Sequence, residues 1–142
     1  MNESASDYSL PVRVYFHDTD AGGVVYHASY IHFLERARTE WMRDRCGYSN
    51  GGMLREFGAV FVVRSLKINY LRPALLDDLL DVTAAVVELG RSRCLLQQEV
   101  MRDGETLVRA EVELACVTAD SFKPMAMPEA LRGQWQMNLR SK

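Results

Sequence analysis

The strongest constraint on the fold is a junction at which the pattern of a strand gives way to the pattern of a helix. Residues 12–16 alternate between the two faces of a strand that buries one side. After a glycine pair, apolar residues recur at three-and-four spacing and predict an amphipathic helix from His27 to about Arg45, ended by Gly47. The junction therefore places acidic side chains beside the unpaired amides that open a helix.

Four later segments alternate with period two and predict further strands: 60–70, 80–89, 92–102 and 106–118. Gly90 marks one tight turn and Asp103-Gly104 is a strong hairpin signal, so the strands on either side pair antiparallel. Segment 50–58 suits a loop with a short helical turn, and 127–135 a short helix. One long helix and an antiparallel sheet of five strands make an α+β layer arrangement, whereas a doubly wound fold would need helices between successive strands.

Length and composition predict one domain that spans residues 1–142. A chain of this size, with 48% hydrophobic residues, buries roughly two-thirds of its unfolded surface around a single core. The polar segment 1–9 is expected to be flexible, and it lacks the basic cap and apolar run of an export signal. No stretch approaches the roughly 18 apolar residues of a membrane span, so we expect a cytoplasmic protein without a transmembrane segment.

Charge and cysteine usage argue against several classes of protein. The chain has 17 basic and 19 acidic side chains, and a net charge of −2 provides no field to hold a nucleic acid or an anionic membrane. Cys46, Cys94 and Cys116 are widely spaced and form no close pair. They therefore predict reduced core thiols rather than a metal knuckle or a redox motif.

Four blocks that span most of the chain carry a family resemblance. They are PVRVYFHDTDAGGVVYHASY at 11–30, FLERARTEW at 33–41, FVVRSLKINYLRPALLDD at 61–78, and AEVELACV with KPMAMP at 110–117 and 123–128. With these blocks the sequence resembles the hotdog-fold acyl-CoA thioesterases, in the Tol-Pal-associated, YbgC-type branch of the 4-hydroxybenzoyl-CoA thioesterase family. The resemblance implies a five-stranded antiparallel sheet wrapped around one long central helix. It also implies subunits paired through sheet edges as a homodimer or homotetramer, with active sites at the interface.

The resemblance assigns two residues to catalysis. The second aspartate of the DTD run, the catalytic acid of the family, falls on Asp20, and the histidine seven residues on falls on His27. The family polarises the thioester carbonyl with a backbone amide at this point, a role that transfers to the amide of His27. Relatives often carry tyrosine and glutamate immediately before DTD, whereas Phe16 and His17 stand here. A tyrosine hydroxyl at position 16 is therefore not available to this chain.

Thioester hydrolysis needs a nucleophile or base, and donors for the oxyanion of the tetrahedral intermediate. Asp20 would either attack the carbonyl or deprotonate a water, and its alternative role is a simple turn or helix cap. Gly22 and Gly23 let the backbone approach a ligand, and unpaired amides near His27 and Ala28 are the natural oxyanion donors. The imidazole of His27 either orients the thioester, shuttles a proton or packs on the sheet.

Substrate contacts are predicted from residue type. Aromatic residues that would line an acyl pocket, or belong to the core, are Tyr15, Tyr26 and Tyr30. Cations suited to the phosphates of coenzyme A, or else simply solvated, are Arg64, Arg91, Arg93 and Lys123. The acyl chain length is not readable from these residues.

Other interpretations of the aspartate pair fit less well. Asp18, Asp20 and Gly23 match positions one, three and six of an EF-hand, but position twelve is Ser29 and a strand precedes the loop. A phosphoryl-transfer site would need a parallel sheet. We therefore predict an acyl-CoA thioesterase with no metal and no cofactor, in which Asp18 shapes the loop by hydrogen bonding. The alternatives are a dehydratase of the same fold and a non-catalytic scaffold that binds acyl carrier protein or Tol-Pal components.

Overall fold

The computed structural model describes residues 8–141. Its strands are β1 (Ser9–Arg13), β2 (Ala59–Tyr70), β3 (Leu79–Thr83), β4 (Ala85–Leu89), β5 (Arg93–Arg102) and β6 (Glu105–Thr118). Its helices are α1 (Ser29–Trp41), α2 (Asn50–Phe57) and α3 (Glu129–Met137), with a 3-10 turn at Phe16–Asp18 and a π-helical turn at Met42–Cys46. The segment predicted to be flexible, 1–9, lies outside the described residues up to position 7. Its last two residues belong to the fold, because Tyr8 is buried and Ser9 begins β1.

All strand pairs are antiparallel, and the sheet runs in the order β1-β3-β5-β6-β2, with β4 also paired to β5. The predicted α+β architecture is confirmed. The strand count differs, because the segment predicted as one strand over 80–89 is interrupted at Ala84 and forms β3 and β4. Both pieces still pair with β5, so the five predicted strands become six without a change of topology.

Helix α1 packs against the sheet through β1, β3 and β5. Its buried side chains recur at the predicted spacing: Tyr30, Phe33, Leu34, Ala37 and Trp41. Burial of each large apolar side chain contributes roughly 1.5–3 kcal/mol, so this stripe fixes the helix on the sheet. The predicted end at Gly47 is confirmed, since this residue has a φ of 77° and closes the π-helical turn.

Both predicted turns between the later strands are confirmed. Asp103 and Gly104 have φ angles of 51° and 79°, the pair of positive values that a type I′ hairpin requires. At the other turn, the amide of Gly90 donates to the carbonyl of Arg93 at 2.7 Å. The hairpins therefore set the order β4-β5-β6 along the sheet.

Segment 50–58 forms a full helix, where only a short helical turn was predicted. The hydroxyl of Ser49 accepts the amide of Gly52 at 2.9 Å and caps the start of α2, and Gly58 ends it at a φ of 63°. Glycines inside a helix cost about 1 kcal/mol each. The cap and the complete burial of Met53 compensate for that cost.

The core consists of two neighbouring clusters, one around Trp41 and Trp135 and one around Phe33 and Leu34. Helix α3 confirms the predicted terminal helix with its bounds shifted by two residues, and it places Trp135 edge-on to Trp41 at 4.8 Å between ring centroids. The three cysteines are buried free thiols of the first cluster, as predicted. Among residues 8–141, no helix is long and apolar enough to cross a membrane.

Candidate active site

Asp20 lies in the turn that joins the 3-10 turn to α1. Its Oδ1 accepts the amide of Gly22 at 2.8 Å, and its own carbonyl accepts the amide of Gly23 at 3.1 Å. Gly23 has a φ of 80°, a conformation that glycine adopts without strain. Within the described residues, Oδ2 has no hydrogen-bond partner and the carboxylate is exposed. One oxygen therefore holds the turn while the other is free.

Asp18 has a different environment, although it is only two residues away. Its side chain is buried, and Oδ2 accepts the amide of Tyr15 at 2.8 Å. Its other oxygen lies 3.3 Å from Nε2 of His17, and its carbonyl accepts the amide of Tyr26 at 2.8 Å. The prediction that Asp18 shapes the loop is confirmed. His17 and His32 are exposed.

The start of α1 leaves two amides open. The amide of Ser29 donates to the carbonyl of Tyr26 at 2.8 Å. The amides of His27 and Ala28 donate to no acceptor in the part of the chain that the structure describes. They lie at the positive end of the helix dipole, where a developing negative charge is stabilised. No hydrogen bond joins Asp20 to these amides among the described residues, and its carboxylate faces solvent in the single chain.

Tyr70, the last residue of β2, contacts this helix start. Its hydroxyl donates to the carbonyl of His27 at 3.1 Å, and its ring is edge-on to the imidazole at 6.4 Å between centroids. The imidazole is exposed and lies 4.5 Å from the ring of Tyr26. The sequence pattern places Tyr70 at the end of a strand and does not indicate its contact with His27, 43 positions away. The sequence signal that could have identified this residue is its position just before the Leu71-Arg72-Pro73 segment, which ends the strand.

The loop after β2 holds the turn that carries Asp20 against the sheet. The amide of Ala74 donates to the hydroxyl of Tyr30 at 2.9 Å, and the carbonyl of Ala74 accepts the amide of Val25 at 2.9 Å. Asp78 anchors the same loop, because its Oδ2 accepts Nη1 of Arg102 at 2.8 Å. The turn that carries Asp20 is thus backed by a loop with its own side-chain anchors.

The predicted aromatic contacts divide between surface and core. Tyr15 and Tyr26 are exposed beside the turn, where a ligand could reach them. Tyr30 is buried, its hydroxyl is taken up by the loop amide, and burial raises its pKa. In the single chain Tyr30 therefore occupies the core position that the sequence left as its alternative.

Most of the predicted cations lie far from the turn within one chain. On β6, Ala115 pairs with Arg93 and Val108 pairs with Tyr70, and this separation of seven residues corresponds to about 23 Å along the strand. Arg91 and Lys123 are in loops at the Arg93 end of the sheet, and Arg93 is 3.5 Å from Glu113. A single subunit therefore does not bring these three cations to Asp20. Arg64 lies exposed at a bulge in β2.

A cavity of about 260 Å³ lies between α1 and β2. It begins at Ile31, one helical turn beyond His27, and reaches Met42, a distance of about 16 Å along the helix axis. Its wall combines apolar side chains, among them Phe61 and Trp135, with the charged side chains of Glu35 and Arg38. Two larger grooves, of about 490 and 720 Å³, have mixed polar and apolar walls, and both include Gln97 and Glu99. No group of three or more histidine, cysteine or acidic side chains among residues 8–141 could hold a metal ion.

One long helix packed on an antiparallel sheet is the architecture of the hotdog class of α+β domains. Residues 22–109 match the family model of the thioesterase superfamily. The chain belongs to this superfamily. The prediction of a thioester hydrolase is confirmed by its relatives, as is the resemblance to the YbgC-type branch.

Three comparisons give the extent of that similarity. The chain is 46% identical over 125 residues to the acyl-CoA thioesterase YbgC of Haemophilus influenzae, and the match covers 88% of this chain and 91% of the relative. It is 41% identical over 130 residues to the acyl-CoA thioester hydrolase YbgC of Escherichia coli O6:H1, with 91% and 96% covered. The crystal structure of a probable thioesterase from Bartonella henselae superimposes with a TM-score of 0.82 at 37% identity, covering 86% of this chain and 99% of the other.

Proposed function

We propose that this thioester hydrolase cleaves acyl-CoA, with Asp20 as nucleophile or general base and the amides of His27 and Ala28 as oxyanion donors. The observation that carries the proposal is the turn itself. One carboxylate oxygen of Asp20 is anchored on the amide of Gly22, the other is free of partners among the described residues, and the same turn leads into a helix start with two open amides. Relatives that match most of the chain are named acyl-CoA thioesterase or acyl-CoA thioester hydrolase, and they support the substrate class.

Two routes are consistent with this arrangement. In the first, the free oxygen of Asp20 bonds to the acyl carbon, the carbon–sulfur bond breaks, coenzyme A leaves as a thiolate, and water hydrolyses the resulting anhydride. In the second, Asp20 takes a proton from a water molecule while the oxygen of that water attacks the acyl carbon. The proton then passes to the departing thiolate of coenzyme A. Both routes form an oxyanion, and one well-placed amide donor lowers the barrier by roughly 3 kcal/mol.

We also propose that a second copy of the chain completes the site. Strand β2 is an edge strand of twelve residues, and Val63 in it is 51% exposed. Long exposed edges favour pairing with another chain. A homodimer joined along β2 would cover part of the exposed turn and could bring a partner's distant cations toward the substrate. A homotetramer would be built from two such dimers in the cytoplasm.

Replacement of Asp20 by asparagine tests the catalytic role. The new side chain in Asp20→Asn keeps an oxygen for the Gly22 amide but is neither a base nor a nucleophile, so the turn should survive. We expect kcat for acyl-CoA hydrolysis to fall by about a thousandfold or more, with Tm unchanged. The matched control is Asp120→Asn, an exposed aspartate in the segment after β6. A fully active Asp20→Asn variant would remove Asp20 from the mechanism. A wild-type chain that hydrolyses no acyl-CoA would leave the scaffold role, toward acyl carrier protein or Tol-Pal components, as the better proposal.

Isotope labelling separates the two routes. Under single-turnover conditions in ¹⁸O water, the nucleophilic route places the label in the carboxylate of Asp20 whenever water opens the anhydride at the carbonyl of the enzyme. The general-base route places the label only in the released acid. A panel of acyl-CoA and acyl carrier protein thioesters of increasing chain length would then define the acyl group that the cavity along α1 accepts.

A further inference from the structure

We infer that Tyr70 is a positioning residue for the oxyanion donors at the start of α1. The inference rests on the proposed function and assigns a task to a residue outside the catalytic turn. Its basis is the 3.1 Å hydrogen bond from the Tyr70 hydroxyl to the carbonyl of His27. That carbonyl belongs to the same peptide group as the open amide of Ala28.

The peptide geometry makes this contact directional. In a planar trans peptide the C=O and the following N–H point in opposite directions. A donor that holds the oxygen of His27 therefore also sets the direction of the Ala28 amide. A hydrogen bond to the carbonyl also polarises the peptide group, which makes its N–H a stronger donor to a developing oxyanion.

The carbonyl of His27 receives its hydrogen bond from Tyr70 and not from the backbone. His27 precedes α1, and among the described residues no backbone amide donates to its carbonyl. Here the Ile31 amide donates to the carbonyl of Ala28 at 3.1 Å. The first turn of the helix is thus tightened, and the tyrosine hydroxyl supplies the donor that the backbone does not.

The sheet and the core hold Tyr70 in place. Its backbone pairs with Val108 in the ladder between β2 and β6. Its ring is edge-on to the buried ring of Tyr30 at 5.5 Å between centroids. The ladder and the contact with Tyr30 hold the half-exposed ring of Tyr70 beside the helix start, so its hydroxyl can fix the peptide there.

The test is Tyr70→Phe, which keeps the ring and removes the hydroxyl. We expect kcat for acyl-CoA hydrolysis to fall about five- to tenfold, equivalent to about 1–1.4 kcal/mol, with KM within about twofold of wild type. Tyr8→Phe is the matched control, because it also removes a tyrosine hydrogen bond, to Asp44 at 2.8 Å, but far from the turn. This control should lose as much Tm or more and keep its kcat.

Each outcome decides the inference. A kcat for Tyr70→Phe equal to that of wild type overturns it. A fall in kcat that appears equally in Tyr8→Phe overturns it too, because the effect would then be general destabilisation. Asp20→Asn assayed in parallel separates this inference from the proposed function. If Asp20→Asn is inactive while Tyr70→Phe is fully active, only the role of Tyr70 fails, and if Asp20→Asn is fully active, the proposed mechanism fails.

Discussion

The side-chain amide of Gln98, on β5, donates to the carbonyl of Leu34, in the centre of α1, at 3.0 Å. The same nitrogen donates to the carbonyl of Thr83 at 3.0 Å, and Oε1 accepts Nη1 of Arg38 at 3.2 Å. Gln98 is 1% exposed, so one buried amide joins the central helix, the end of β3 and a half-buried guanidinium. Burial lowers the pKa of Arg38.

Loss of this amide should destabilise the fold. Gln98→Leu has a similar volume, but it leaves the Thr83 carbonyl and the Arg38 guanidinium without their buried partner. We expect the free energy of unfolding to fall by about 2–3 kcal/mol, measured by urea denaturation. Gln97→Leu, at the neighbouring position that points to the other face of β5, is the control and should change stability by under about 1 kcal/mol. Equal losses in the two variants would contradict a special role for Gln98.

The Gln98 contacts also explain what the sequence could not predict about the sheet. The alternation of Leu80, Val82, Ala84 and Val86 runs straight through position 84, so nothing in the pattern marks the break at Ala84. At that break, Gln98 binds the carbonyl of Thr83 and the Thr83 hydroxyl accepts the amide of Glu99 at 2.8 Å. Hydrogen bonds made by the side chains of Gln98 and Thr83 take the place of strand hydrogen bonds at the break. Both join residues that are distant in sequence. Periodicity reports which face is buried, so it predicted the strands but not their interruption.

In the candidate site, too, some features follow from the local sequence and others depend on the fold. The roles of Asp18 and the positive φ of Gly23 follow from local chemistry, since short polar side chains and glycines act on their own turn. The link from Tyr70 to His27 joins residues 43 positions apart, and only the fold reveals it. Segment 50–58 shows the opposite error. Its glycines argue against a helix, but the Ser49 cap and the tertiary burial of Met53 outweigh that local preference.

Two glycines with the same backbone geometry provide a test of the role proposed for the turn that carries Asp20. Gly23 and Gly104 have φ angles of 80° and 79°, and a Cβ added at either would meet no atom within 4 Å. Alanine should therefore cost about 1–2 kcal/mol of stability at each site, through backbone strain alone. We expect only Gly23→Ala to lower kcat, by about tenfold or more, because it shifts the turn that carries Asp20. Gly104→Ala changes a remote hairpin, and a similar loss of kcat there would refute the assignment of the turn.

The buried thiols should make stability fall at alkaline pH. Burial raises the pKa of Cys46 and of Cys94 to about 12, from an ordinary value of 9.0. Above pH 9 the unfolded chain releases these protons while the folded chain retains them, so the stability present below pH 9 is lost as the pH rises toward 12. Each thiol contributes a slope of at most about 1.4 kcal/mol per pH unit.

Urea midpoints between about pH 8 and 9.5 measure this slope before the tyrosines of the unfolded chain ionise. Burial also raises the pKa of Tyr8 and Tyr30, so at higher pH these two residues would add to the slope. The Cys46→Ala variant should show a shallower decline than wild type, by the share of one thiol. An unchanged slope in that variant would mean that the Cys46 thiol ionises in the folded protein as readily as in the unfolded chain.

The free edge of β2 should determine the oligomeric state and, through it, activity. Val63 lies beside the bulge in the middle of this strand and is half exposed, so a second copy paired along the edge would cover it. Val63→Lys would place a charge in that interface, and charged edge residues block strand pairing. We expect light scattering to show a dimer or tetramer for wild type and a monomer for Val63→Lys, with hydrolysis lost in parallel because the site lacks its second subunit. Met137→Lys, at an 80% exposed apolar residue on α3, is the control and should keep both assembly and activity. A monomeric Val63→Lys variant with the kcat of wild type would show that one chain suffices for catalysis.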